Sequence, residues 1–233
     1  MTQYGFTRFN VLPPVIKNLL IINGLVFLAQ LTFPALGNKL ALYYPSSDEF
    51  QPYQFVTHMF AHGSLAHIFF NMFSLWMFGS ALENVWGPKR FLTFYLACGL
   101  GAAVLYTGVH AIQLQQITGE FFPSVNDGMI QGDFTQKQID TLGGIFAGTV
   151  GASGAVYGLL LAFGMLFPNT LLYIYFLFPI KAKYVVIILT ALELYLGFLN
   201  NPNDNIAHFA HLGGMLIGFI LLKFWGRKRN RFY

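Results

Sequence analysis

The sequence predicts an all-α polytopic membrane protein, a bundle of six transmembrane helices with both termini cytoplasmic. Three observations lead there: a composition too apolar for a water-facing surface, six apolar runs near spanning length, and a lopsided placement of basic residues. Of the 233 residues, 55% are hydrophobic, 18% aromatic and only 9% charged, where an ordinary soluble domain carries about a quarter charged residues. The same figures exclude disorder, which goes with high charge and few aromatics. The net charge of +4 is not a nucleic-acid signature, because the basic residues are not gathered on a polar domain. Cys98 is the single cysteine, which excludes an intramolecular disulfide and a cysteine metal cluster.

The six spans are expected at about 15–33, 60–82, 90–112, 145–167, 183–199 and 207–225, each close to the roughly 20 residues a helix needs to cross hydrocarbon. The first follows Arg8 and contains Lys17; it is longer than a signal-peptide core and has no small-x-small cleavage site directly after it, so it reads as a retained span. Pro34 and Pro45 interrupt the connection that follows. A polar stretch at 113–141 separates the third and fourth spans as an outer loop insertion. The run 171–179, bounded by Pro168 and Pro179, is too short to cross and is expected at the cytoplasmic interface. Together, 1–233 reads as one membrane domain.

Lys and Arg set the orientation. With the N-terminus inside, the inner segments collect Arg8, Lys17, Lys89, Arg90, Lys181, Lys183, Lys223, Arg227, Lys228, Arg229 and Arg231, leaving only Lys39 and Lys137 outside. An odd number of spans would place the 227–231 cluster on the wrong side.

Polar groups inside spans are costly and usually face the bundle interior. Three clusters do this. At the outer end of the second span, His67 and Asn71 lie four apart on one helical face and offer neutral donors to one spot. The fourth span opens with Gly151-Ala-Ser153-Gly154, followed by Tyr157 and Gly158; a serine among glycines at a helix start has an uncrowded hydroxyl near free backbone N–H groups. The sixth span carries His208 and His211 before Gly214 and Gly218, a G-x-x-x-G pair that admits a close helix neighbour. If that neighbour is the glycine-rich fourth span, Ser153 and His211 meet, the minimum for an activated nucleophile. Each cluster alone is compatible with ordinary packing, but all three fall at the outer ends of parallel spans and so share one depth.

In this order and on these spans, the motifs resemble those of the rhomboid intramembrane serine proteases over roughly 57–218. The resemblance implies the six-helix rhomboid fold and a serine endopeptidase that cleaves transmembrane helices near the outer face by a Ser-His dyad through an acyl-enzyme. It implies Ser153 as nucleophile, His211 rather than His208 as general base, and His67, Asn71 and the Ser153 N–H as the oxyanion site. It also implies Tyr157 stacked on the base, Glu83 as a structural carboxylate, and Gly151, Gly154, Gly214 and Gly218 as the small residues that bring the parts together. The partners implied are single-span or polytopic membrane-protein substrates in a lipid bilayer, with no cofactor, no metal and no nucleic acid. Access beside the fifth span, with 200–206 as a mobile cap, is expected as well. Two departures stand out: the first outer loop lacks the Trp-Arg pair of many bacterial members and offers Tyr43, Tyr44, Phe50, Tyr53 and Phe55 instead, and the 113–141 insertion is long.

Other chemistries fit less well. His58 with His62, and His208 with His211, have plausible metal-ligand spacing, but no H-E-x-x-H occurs. Paired intramembrane aspartates are absent, and Asp204 lies in the loop before His211, outside a triad. A helix-binding protein without catalysis typically lacks the nucleophile or base, and both are here. Glu193, within the fifth span, either hydrogen-bonds inside the bundle or marks the gating helix. A compact core without a targeting extension leads us to expect a bacterial plasma (inner) membrane.

Overall fold

The computed structural model describes residues 9–125, 130–174, 177–199 and 207–226; the expected cap at 200–206, Asp204 and the 227–231 basic cluster lie outside them. In chain order the elements are α1 (Pro14–Thr32), the short α2 (Ala35–Leu40) and α3 (Gln54–Thr57), a 3-10 turn (His58–Phe60), α4 (Leu65–Trp86) and α5 (Pro88–Thr118). They continue with α6 (Gln136–Phe146), α7 (Ser153–Leu166), β1 (Leu171–Ile174), β2 (Phe178–Lys181), α8 (Ala182–Leu199) and α9 (His208–Gly226).

Among the described residues five helices, α1, α4, α5, α8 and α9, are long and apolar enough to cross a membrane. α7 is apolar but has only 14 residues, a rise of about 21 Å at 1.5 Å per residue. The fourth span expected at 145–167 is therefore shorter than its apolar run. Gly151, at φ +129, cannot continue a right-handed helix, so the helix starts only at Ser153.

Among its described residues, the 113–141 stretch holds helical segments where a loop insertion is expected. α5 runs on to Thr118 and stops at Gly119 (φ 82). Thr135 then opens α6 with a reciprocal capping box to Gln138. Leu142 and Ile145 of α6 join Leu114 of α5 and Tyr44 of the connection between α2 and α3 in a small second core. The Tyr44 hydroxyl donates to the Phe121 carbonyl at 2.7 Å, so the tyrosine-rich first loop seats the insertion. The 171–179 run forms an antiparallel hairpin with Leu171 opposite Lys181 and is not a crossing helix.

α7 is the centre of the bundle. It packs against α4, α5, α8 and α9, and nine of its residues are buried. Its closest approach is to α9: a Cβ built at Gly214 would overlap the carbonyl oxygen of Gly154, and one at Gly158 would lie 3.0 Å from the Gly214 oxygen. No side chain larger than hydrogen fits that crossing, as expected for small-residue helix packing. At the opposite end, Arg90 stacks 4.3 Å over the Trp225 ring and Trp86 meets the same ring edge-on. The close of α4, the start of α5 and the close of α9 are thereby tied together. The crossing of α7 and α9 sits toward their N-terminal ends, where the polar residues are.

Candidate active site

The polar clusters converge there. Ser153 is the first residue of α7 and His211 stands one turn into α9. The Gly154–Gly214 contact sets them side by side, with the Ser153 Oγ 2.9 Å from His211 Nε2. The imidazole lies flat on Tyr157, centroids 4.1 Å apart and planes 8° from parallel. Tyr157 is one turn after Ser153 on the same helix, so one element supplies both the hydroxyl and the surface that orients the ring.

Gly151 prepares the approach to Ser153. Its N–H donates to the His58 carbonyl at 2.8 Å, which pins the loop to the 3-10 turn. A Cβ at Gly151 would lie 2.7 Å from His67 Nε2, so the glycine admits His67 as well as the positive φ. His67 follows the Ser64 N-cap of α4, and its Nδ1 accepts from the Gly63 N–H at 3.4 Å. A ring that accepts at Nδ1 carries its proton on Nε2, the nitrogen beside Gly151. His67, Ser153 and His211 line one cavity of about 580 Å³ with Gly151, Gly154 and His58.

Asn71 is placed differently. It is buried, but its Nδ2 donates to the His67 carbonyl at 3.0 Å, and it is not among the residues lining the cavity. Its amide serves its own helix in this state. Glu83 is remote from the cavity. Its two oxygens accept the N–H groups of Val15 at 3.0 Å and Ile16 at 2.9 Å, capping α1, whose own N-cap, Pro13, has no capping side chain. Gly218 continues the α7–α9 crossing, a Cβ there meeting the Gly158 oxygen at 3.3 Å.

His58 and His62 stand apart from the Ser153–His211 contact. His58 Nδ1 pairs with the Gln54 carbonyl at 2.8 Å, and burial lowers its pKa. His62 meets His67 edge-on at 5.1 Å, and burial, then the neighbouring His67, pushes its pKa down to about 4.

Glu193 is the residue at this site whose partners sequence reasoning did not identify, although a hydrogen bond inside the bundle was one of the two roles open to it. It lies on the buried stripe Ala182, Val186, Glu193, Gly197 of α8, and that periodicity was the signal available. Its Oε1 accepts from the Tyr157 hydroxyl at 2.5 Å and lies 3.0 Å from His211 Nδ1, while Oε2 is 2.6 Å from His208 Nδ1. Among the described residues Glu193, His208 and His211 are also the one group whose ligand atoms could hold a metal, all within 4.8 Å of one another. However, tetrahedral zinc with bonds of 2.0–2.1 Å sets ligand atoms about 3.3 Å apart. The direct 2.6 and 3.0 Å contacts are those of carboxylate–imidazole pairs.

The chain also resembles known proteins. Residues 49–228 match the Rhomboid domain. The chain is 31% identical over 175 residues to the RHOMBOID-like protein 12, mitochondrial, of Arabidopsis thaliana, covering 75% of this chain and 46% of that protein. It is 26% identical over 177 residues to the Rhomboid-like protein 16, chloroplastic, of the same plant, covering 75% and 48%. With the Rhomboid protease GluP of Bacillus subtilis (strain 168) it shares 28% over 173 residues, covering 72% of this chain and 25% of that one. The chain thus spans half or less of the length of these relatives. Two of the three carry organellar names, so the expectation of a bacterial plasma membrane gains no support from them. With the domain match extending over most of its length and apolar helices of membrane-crossing size, the chain belongs to the rhomboid family as an integral multi-pass membrane protein.

Proposed function

We propose that the chain is an intramembrane serine endopeptidase that cleaves the transmembrane helices of single-span or polytopic membrane proteins near the outer face. The observation that carries this is the 2.9 Å contact of Ser153 Oγ with His211 Nε2 at the edge of the 580 Å³ cavity. A hydroxyl held against an imidazole is the unit from which an activated nucleophile is made.

In this reading α7 is a sixth, short span, and both termini are cytoplasmic, as the basic residues favour. If its C-terminal end sits at the inner interface, its rise of about 21 Å in a core of about 30 Å leaves Ser153 several ångströms below the outer surface. Water reaches that depth through the cavity, the condition under which non-helical backbone such as Gly151 is tolerated inside a membrane.

His211 Nε2 takes the Ser153 proton as Oγ attacks a peptide carbonyl. The tetrahedral intermediate collapses to an acyl-enzyme as the protonated His211 gives its proton to the leaving amine, and water then repeats the sequence to free the acid. The Ser153 N–H, at the start of α7, and His67 Nε2–H are the donors for the oxyanion. Asn71 joins them by releasing the His67 carbonyl that it now holds. A substrate helix must unwind first, since an intact helix keeps its carbonyls bonded. Gly, Ser or Pro near the outer face therefore favours cleavage, Gly and Pro by weakening the helix most.

The test is cleavage of a single-span substrate with a Gly-Ala-Ser segment near its outer face, with the enzyme in lipid bilayers. Wild type is expected to cut there and Ser153→Ala to leave the substrate intact. Binding of the substrate without cleavage by folded wild type would replace the protease reading with a helix-binding one.

A further inference from the structure

A serine–histidine pair leaves one question open: what fixes the proton of the base. Nε2 of His211 faces Ser153 and must be unprotonated to act, so the neutral ring must carry its proton on Nδ1. Stacking on Tyr157 sets the plane of the ring but does not select between the two tautomers. An acceptor at Nδ1 does, and the group there is Glu193 Oε1 at 3.0 Å.

The carboxylate is built in. Glu193 is 5% exposed, a burial that costs several kcal/mol for an unpaired carboxylate. It is compensated by donors from two other helices: the Tyr157 hydroxyl on α7 and His208 Nδ1 on α9. The same Oε1 that takes the Tyr157 hydroxyl faces His211, so the residue that stacks on the base also anchors the group behind it. The oxygen lies off the direct N–H line of Nδ1, which has no regular hydrogen-bond partner. Such contacts in resting sites commonly tighten only as charge develops.

We infer that Glu193 is a positioning residue for this reaction. Ser153, His211 and Glu193 form a Ser–His–Glu relay, with the carboxylate supplied by α8. The inference rests on the serine endopeptidase reading above. During attack the Ser153 proton moves to Nε2, the Nδ1 proton stays on the ring, and Glu193 remains ionised beside the imidazolium. No proton passes to the carboxylate. The other ionisable groups around His211 are Tyr157 on α7, His208 on its own helix and His67 on α4. None of these is an anion; among the described residues Glu193 is the anionic acceptor facing Nδ1.

The test is Glu193→Gln in the full chain, assayed on the same substrate and by thermal unfolding. Exchanging such a carboxylate for its amide costs on the order of 10⁴ in kcat where it inverts the tautomer. A loss of at least about 10² in kcat is expected here, with KM little changed, because the interaction is made in the transition state and not with bound substrate. A folded Glu193→Gln with wild-type kcat, or a loss confined to KM, overturns the relay. If the variant does not fold, proton NMR of wild type carrying a phosphonate on Ser153 decides. The relay predicts a low-field imidazolium Nδ1 proton shared with a carboxylate, and its absence overturns the assignment. A wild type that neither cleaves nor reacts with the phosphonate brings down the endopeptidase reading itself, an outcome distinct from either of these.

Discussion

Glu83 on α4 holds the N-terminus of α1 by two hydrogen bonds, from Val15 N–H at 3.0 Å and Ile16 N–H at 2.9 Å. The carboxylate also faces the positive end of the helix dipole. Glu83→Ala leaves two backbone donors without a partner in a largely buried site, each costing about 1–3 kcal/mol. A clear drop in the unfolding temperature in detergent is expected. Glu83→Gln should lose less, since one amide oxygen still accepts. An unchanged melting temperature in Glu83→Ala would show that the cap does not matter to stability.

The α7–α9 crossing gives a second prediction. Gly214→Ala forces a methyl group into the Gly154 carbonyl, and overpacking of this kind costs at least about 1–3 kcal/mol. Because the same crossing spaces Ser153 from His211, cleavage should fall with stability. Gly108 on α5 has open space around its Cα, so Gly108→Ala should change stability by no more than about 1 kcal/mol. Parallel melting and cleavage assays of the two variants check this contrast.

Gly151 separates conformation from stability. Gly151→Ala meets both the positive φ of +129 and the His67 ring at 2.7 Å. With His67 as an oxyanion donor, as proposed above, displacing it costs about 10²–10³ in rate, so activity should fall by at least that factor. The loop's core side chain is only the Ala152 methyl, so melting should move less than for Gly214→Ala. Comparable losses in both would place Gly151 in the scaffold and not in the site.

Acid should destabilise the protein through its buried histidines His58 and His62. Burial and His67 push His62 down to about 4 from 6.5, and burial lowers His58 as well. Between about pH 6.5 and 4 the unfolded chain binds protons that the folded one does not, so stability rises with pH across that window. The His62 contribution is complete above about 6.5 and is lost as pH falls toward 4. Neither His62 ring nitrogen makes a regular hydrogen bond, so His62→Leu should fold and flatten this part of the profile. Melting at about pH 7.5 and about pH 4.5 for both proteins measures it; an equal drop in the variant would assign the acid sensitivity elsewhere.

The site was more legible in the sequence than its surroundings, for physical reasons. Ser153, His211 and Tyr157 meet because G-x-x-x-G admits a backbone, and that pattern is local and readable. The extent of a helix inside a long apolar run is not readable in this way. Hydropathy ran through residues 145–152, while a single positive φ at Gly151 delays α7 to Ser153. The order in the insertion was hidden because α6 earns its place by packing Leu142 and Ile145 on Tyr44 and Leu114, a contact between segments distant in sequence. Asn71 shares a helical face with His67, as spacing requires, yet spacing could not show that its amide turns to a backbone carbonyl. Glu193 escaped because its partners, Tyr157, His208 and His211, lie on two other helices.

The central claim is that Ser153 is a nucleophile activated by His211. It is tested most directly by reacting the purified protein with a fluorophosphonate and locating the adduct by mass spectrometry. We expect one adduct, on Ser153, that is lost in Ser153→Ala and reduced to background in folded His211→Ala. A folded wild type that forms no adduct with its cavity open to the probe, or an adduct on Ser153 that persists undiminished in His211→Ala, would contradict the account.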